Sequence, residues 1–162
     1  MEIYLAQHGV ALSQEENPER PLSPDGIAQI QATAKAICRL GLRFDVIVAS
    51  TKQRSIQTAE IIAQATGYSP TCIVRTESAE PGAPPEDTLR FLEQFNNRNS
   101  ILVAGHLPSL AKIASILLSP KAEASVQFDN GALCRIDVQT MAFRKGTLQW
   151  LLAPAHLRLI AR

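Results

Sequence analysis

The sequence lacks most of the features that mark a chain for a membrane, a metal or a nucleic acid. No stretch approaches the ~18 continuous apolar residues of a membrane span. Glu2 stands where a secretory leader would carry basic charge, and the apolar run after it is too short for a leader's hydrophobic segment. Neither charge is in excess: 16 basic and 15 acidic side chains leave a net +1. Nothing therefore draws the whole surface to a polyanion, although a local cluster of cations remains compatible with an anion site. Cysteine is scarce. Cys38, Cys72 and Cys134 are odd in number, widely spaced and without a C-x-x-C pair. That pattern reads as buried thiols in a reducing compartment, not as a disulfide framework or a metal site. No repeat, low-complexity tract or linker interrupts the chain. These absences lead to the expectation of one soluble, cytoplasmic domain over residues 1–162.

What is present is a core-forming composition, 46% hydrophobic and 19% charged. Short apolar runs alternate with helical spacings. Ile3–Ala6, Asp45–Ala49, Cys72–Val74 and Ile101–Ala104 predict strands. Ser23-Pro24-Asp25 reads as a helix start, with Ile27, Ile30, Ala34 and Ile37 along one face and Gly41 at the end. Ser50-Thr51 reads as the cap of a second helix with a stripe of Ile56, Ala59 and Ala63, stopped at Gly67. Further helices are predicted over Thr88–Phe95 and after Pro108. Val126–Phe128 and Leu133–Val138 read as strands joined by an Asp129-Asn130-Gly131 hairpin turn, and Leu148–Leu152 as the last strand. Strands alternating with helices predict an α/β fold, its sheet parallel first and antiparallel toward the end.

Ligands in such sheets gather at the C-terminal ends of the strands. Three predicted strand ends carry chemistry-bearing residues: Gln7-His8-Gly9, Ser50-Thr51 with Arg54 one turn on, and Gly105-His106 before Pro108. If these strands are neighbours, His8, Arg54 and His106 converge. Two imidazoles, a guanidinium and helix N-termini make a donor-rich pocket suited to phosphate oxygens. His8 is then a candidate nucleophile, and Gly9 a place for close backbone approach. A metal site is the weaker reading, because the histidines show no H-x-H or H-x-x-H spacing. His156 reads as a surface residue of the tail.

These stretches also resemble a known family. Gln7-His8-Gly9 is similar to the Arg-His-Gly signature of the histidine phosphatase superfamily, also called phosphoglycerate mutase-like. Arg20-Pro21-Leu22-Ser23-Pro24-Asp25-Gly26 resembles the R-P-L-[ST]-x-x-G stretch of its short members. Ser50 through Arg54 to Ala59 resembles S-P-x-x-R-A-x-Q-T-A, and Gly105-His106-Leu107-Pro108 resembles G/S-H-x-P. Chain length and the R-P-L-S stretch point to the SixA branch of phosphohistidine phosphatases. The resemblance implies a three-layer sandwich with a mostly parallel mixed sheet flanked by helices. It implies a phospho-His8 intermediate, with Gln7, Gly9, Arg20, Arg54 and His106 around the phosphate and no metal or cofactor. It further implies a partner that is a phosphorylated signalling protein, such as a histidine-containing phosphotransfer domain, or a small phosphate ester.

Many relatives also use an acid to protonate the leaving group. Glu77 is the candidate general acid here, with Glu80 and Asp87 as rivals and solvated loop carboxylates as the equal alternative. Two positions depart from the pattern. Thr51 replaces a proline at a helix start. Gln7 replaces the family arginine, exchanging a charged fork of donors for one neutral amide. A lost charge-assisted bond of this kind costs roughly 1.5–3 kcal/mol. Arg20 is the expected compensating cation, ahead of Lys52, which reads as part of a solvated helix face. Gln7 therefore leaves open a weakly active or non-catalytic phosphate-binding member.

Overall fold

The computed structural model describes residues 1–119, 124–140 and 145–162. Six strands form one mixed sheet: β1 (Glu2–Gln7), β2 (Val46–Ser50), β3 (Val74–Thr76), β4 (Ser100–Gly105), β5 (Leu133–Asp137) and β6 (Thr147–Leu152). Their order is β3-β2-β4-β1-β5-β6. The first four run parallel, while β5 and β6 pair antiparallel. β1 and β4 are buried along nearly their whole lengths. They are continuous apolar runs because helices cover both faces of the sheet.

Strand alternation divides the core. Tyr4, Ala6, Ile47, Ala49, Leu102 and Ala104 face one layer, built by α1 (Pro24–Arg39), α2 (Gln53–Thr66) and α5 (Pro154–Ile160). Ile3, Leu5, Val46, Val48, Ile101 and Val103 face the other, built by α3 (Pro85–Leu92) and α4 (Ser109–Leu118). The result is the expected three-layer α/β architecture. Among the described residues, no helix is long and apolar enough to cross a membrane.

Most predicted elements are present, with local corrections. Ser23 caps α1 as expected, its Oγ accepting the Gly26 N–H at 3.0 Å. Ile27 was expected to face inward and is exposed instead, because residue 26 occupies the contact with the Val10 carbonyl. Lys52, not Ser50 or Thr51, is the cap residue of α2. The third strand begins two residues later than predicted, because Pro70–Cys72 winds into a 3-10 turn. The third helix, α3, starts three residues earlier than predicted, at Pro85, whose fixed φ suits a first helical turn.

Val126–Phe128 does not pair as a strand, so Asp129–Gly131 is a turn but not a hairpin. That turn serves β1. The Gly131 N–H reaches the carbonyls of Gln7 and His8, both at 3.1 Å, and Asn130 Nδ2 donates to the His8 carbonyl at 3.1 Å. Gly131 has φ +78, and a Cβ there would meet the Gln29 side chain at 2.8 Å. Its glycine is thus required both by conformation and by space.

Candidate active site

The site forms where three parallel strands end. The register pairs Gln7 with Gly105 and Ala49 with Ala104, so His8, His106 and Ser50 emerge side by side. α2 begins three residues after β2 and carries Arg54 in its first turn. Two buried hydroxyls lock that turn to the sheet. Ser55 Oγ donates to the Ala104 carbonyl at 2.7 Å and accepts the Ser50 N–H at 3.2 Å. Thr58 Oγ1 donates to the Arg54 carbonyl at 2.8 Å and accepts the Gly9 N–H at 3.3 Å.

His8 is held in one tautomer. Its Nδ1 lies 2.7 Å from the Gly9 carbonyl oxygen, which can only accept, so Nδ1 bears the proton. Nε2 then presents its lone pair, and Arg54 Nε–H points at it from 3.3 Å. The His106 ring stands 4.9 Å from the His8 ring, tilted by 60°, and its Nε2 lies 2.8 Å from Ser50 Oγ.

The charges acting on this pair are all positive. Burial lowers the His8 pKa to about 4, with Arg54 and Arg20 adding to the effect against the opposing bond to Gly9. Burial lowers that of His106 to about 3, assisted by His8, Arg54, Lys52 and Arg20. Burial and Arg20 also lower the Arg54 pKa. No carboxylate contributes to either histidine. Two neutral imidazoles beside the Arg54 and Arg20 guanidinium groups form a site suited to an oxyanion. Among the described residues no three His, Cys, Asp or Glu side chains gather in a way that could hold a metal.

The remaining predicted residues divide. Arg20 is close enough for its charge to reach both histidines and Arg54. It is exposed, at φ +48, with Nε donating to the Leu12 carbonyl at 3.3 Å. Gly9 has a packing role. A Cβ there would meet the Gly26 carbonyl oxygen at 2.7 Å and Ile30 Cγ1 at 2.8 Å, so the glycine lets the strand end pack on α1. Its N–H is already taken by Thr58. Gln7 is buried, and alternation turns its side chain toward the α3–α4 layer, like Ile3 and Leu5.

Of the acids, Glu80 accepts from Thr51 Oγ1 and pairs with Lys52 Nζ at 2.9 Å, which lowers its pKa. Asp87 pairs with Arg90 at 3.0 Å. Glu77 is exposed just past β3 and contributes to the pKa of neither histidine.

Sequence reasoning assigned Ser55 and Thr58 no role, and Ser50 only that of a helix cap. All three are fully buried, and they tie His106, the start of α2 and the backbone of Arg54 and Gly9 together. The available signal was a polar residue ending an otherwise apolar strand and two small hydroxyls on the inner face of the following helix.

With this geometry in place, comparison with known proteins is informative. The sequence model of the histidine phosphatase superfamily (branch 1) matches residues 3–78. An uncharacterized protein of Picosynechococcus sp. (strain ATCC 27264 / PCC 7002 / PR-6) is 30% identical over 123 residues, 72% of this chain and 73% of that protein. The mitochondrial serine/threonine-protein phosphatase Pgam5 of Drosophila persimilis is 34% identical over 83 residues, 51% of this chain but only 29% of the fly protein. In three dimensions, the protein histidine phosphatase SixA complexed with tungstate superposes with a TM-score of 0.86 at 21% identity, covering 97% of this chain and 99% of that one. A phosphoserine phosphatase of Entamoeba histolytica in complex with phosphoserine gives 0.71 at 17% identity, covering 96% and 98%. At these identities the two structures are similar in fold.

Proposed function

The chain belongs to the histidine phosphatase superfamily, and on that premise we propose that it is a single-domain, cytoplasmic phosphatase that hydrolyses phosphohistidine on a phosphotransfer protein through phospho-His8. The observation that carries the reading is the state of His8. It is neutral, its Nδ1–H is anchored on Gly9, and its Nε2 lone pair faces the Arg54 guanidinium.

In the first step the Nε2 lone pair bonds to phosphorus. The bond from phosphorus to the leaving group breaks, and its electron pair departs with that group. The Gly9 carbonyl stabilises the positive charge that develops on the imidazole. Arg54, with His106 opposite, holds the equatorial oxygens, and Arg20 adds charge at longer range. In the second step water attacks phosphorus, breaking the Nε2–P bond and releasing inorganic phosphate with His8 regenerated. No metal enters either step.

Among the described residues no carboxylate acts on either histidine, which supports one substrate class. Glu80 and Asp87 are tied to basic partners and Glu77 is exposed. A substrate whose leaving group is an imidazole has less need of a proton donor than an alkoxide, which favours a phosphoramidate. The SixA neighbour, a protein histidine phosphatase, supports the same class. The phosphoserine-bound neighbour supports a small phosphate ester as the second reading.

A rapid-quench experiment tests the proposal. Acid-labile phosphate is expected on the wild-type protein after mixing with a phosphorylated phosphotransfer domain, and it is expected to be absent in His8→Ala. Equal behaviour of the two proteins would overturn catalysis through His8. Faster turnover of sugar or nucleotide phosphates than of the phosphoprotein would move the assignment to the second reading. Tight phosphate binding without turnover would make the protein a binding module.

A further inference from the structure

Gly9 supplies the anchor of His8, yet a glycine is the residue least able to hold its own backbone in place. The His8 ring is held because Nδ1–H donates to the Gly9 carbonyl at 2.7 Å. That bond depends on the orientation of the two peptides that flank Gly9, and both are gripped from outside the strand. In the His8–Gly9 peptide, the carbonyl accepts from Gly131 N–H and Asn130 Nδ2, each at 3.1 Å, and the N–H donates to Thr58 Oγ1 at 3.3 Å. In the Gly9–Val10 peptide, whose carbonyl is the anchor itself, the N–H donates to Gln29 Oε1 at 3.2 Å.

The other end of the Gln29 side chain completes a circuit. Nε2 donates to the Asn130 carbonyl at 2.6 Å, and Asn130 Nδ2 returns to the His8 carbonyl. A path of hydrogen bonds thus leaves His8 at Nδ1 and comes back to its backbone, through Gly9, Val10, Gln29 and Asn130. Val10 N–H can only donate and the Asn130 carbonyl can only accept, so a single orientation of the Gln29 amide serves both. The turn is shaped to that amide. A Cβ on residue 131 would meet Gln29 Cγ and Cδ at 2.8 Å, so the glycine lets the turn close on it. Thr33, one turn further along α1, ties the same turn by donating to the Gly131 carbonyl at 3.1 Å.

We propose that Gln29 is a positioning residue for the nucleophile: it clamps the Gly9–Val10 peptide to the Asn130 turn and so keeps the Gly9 carbonyl on His8 Nδ1. Its catalytic meaning rests on the phosphatase reading above. Gln29 acts through the Gly9 carbonyl and not on the phosphoryl group. Two effects follow. With the peptide fixed, His8 keeps its proton on Nδ1 and its lone pair on Nε2, so neither tautomer nor ring orientation has to be corrected before attack. A hydrogen bond at the N–H of an amide also polarises the carbonyl of that amide. The Gly9 oxygen is then a stronger acceptor for Nδ1–H as positive charge develops on the imidazole.

The test uses full-length protein labelled with 15N-histidine, with folding of each variant checked by thermal melting. Wild-type protein at pH 7 should show His8 protonated at Nδ1 in a single tautomer. A tautomer mixture there overturns the clamp, whether or not any variant folds. Gln29→Met keeps the length of the side chain and removes both of its bonds. It should mix the His8 tautomers and slow single-turnover phosphoryl transfer from an aryl phosphate by about three- to tenfold, the scale of one neutral hydrogen bond. KM should stay within about twofold of wild type. Thr33→Val removes a different bond from the same helix to the same turn, and should lower the melting temperature while leaving the His8 pattern and the rate as in wild type. An unchanged 15N pattern in Gln29→Met overturns the clamp. A changed pattern with less than about a twofold loss of rate overturns its positioning role. Equal changes in Thr33→Val and Gln29→Met would mark general support of the turn and overturn the assignment to Gln29. The NMR measurement does not depend on turnover. A Gln29-dependent tautomer in a protein that hydrolyses nothing would leave the clamp standing and overturn the phosphatase reading instead.

Discussion

Acid should destabilise this protein through its two site histidines. An imidazole in the unfolded chain takes up a proton as pH falls through about 6.5. In the folded protein, burial and neighbouring cations keep His8 neutral to about 4 and His106 to about 3. Between these limits the unfolded state binds more protons, so stability is complete above pH 6.5, falls as pH drops below it, and levels off beneath the folded values. The slope is about 1.4 kcal/mol per pH unit for each histidine. By pH 5 the buried His106 accounts for about 2 kcal/mol. His8, nearer to solvent, accounts for somewhat less, giving roughly 3–4 kcal/mol together. That is a large part of the 5–15 kcal/mol typical of a domain.

Urea titrations at pH 7, 6 and 5, compared between wild type and His8→Asn/His106→Asn, isolate the effect, because other groups titrate alike in both. Wild type is expected to lose roughly 3–4 kcal/mol more than the double variant over this range. Saturating phosphate should shrink the difference, since a bound anion favours protonated rings. Parallel curves for the two proteins would refute the claim that these histidines are held neutral.

Gly9→Ala should destabilise by about 1–3 kcal/mol, because its Cβ would overlap the Gly26 carbonyl and Ile30. An unchanged melting temperature would show that the β1–α1 contact is looser than described. Glu77→Gln should leave turnover of phosphoramidate and ester substrates within about twofold, the usual scale of an exposed substitution away from specific interactions. A tenfold loss confined to ester substrates in steady-state assays would instead make Glu77 the leaving-group acid.

The candidate site was legible because its residues lie at strand ends, where an apolar run breaks on a polar residue. His8 and His106 stand out at such breaks, and Arg54 sits one turn into the helix after another. The boundaries that went astray did so for local reasons. Val126–Phe128 has the composition of a strand, but nothing pairs with it. Thr51 was expected to cap α2, but its hydroxyl is taken by Glu80.

By itself, the sequence determined which chemistry is available: two imidazoles, one guanidinium and short polar breaks after apolar strands, in an order that resembles a phosphatase family. It could not decide protonation or partnership, because these depend on burial and on contacts between residues far apart in the chain. Only the packed sheet places Arg54 against His8 across 46 positions and Ser50 against His106 across 56. Only burial there, with the neighbouring guanidinium groups, pushes the pKa values of both rings below the ordinary range. Tertiary structure also packs Gly9 against α1. It likewise buries Gln7, which in the sequence is a missing arginine, at the end of β1.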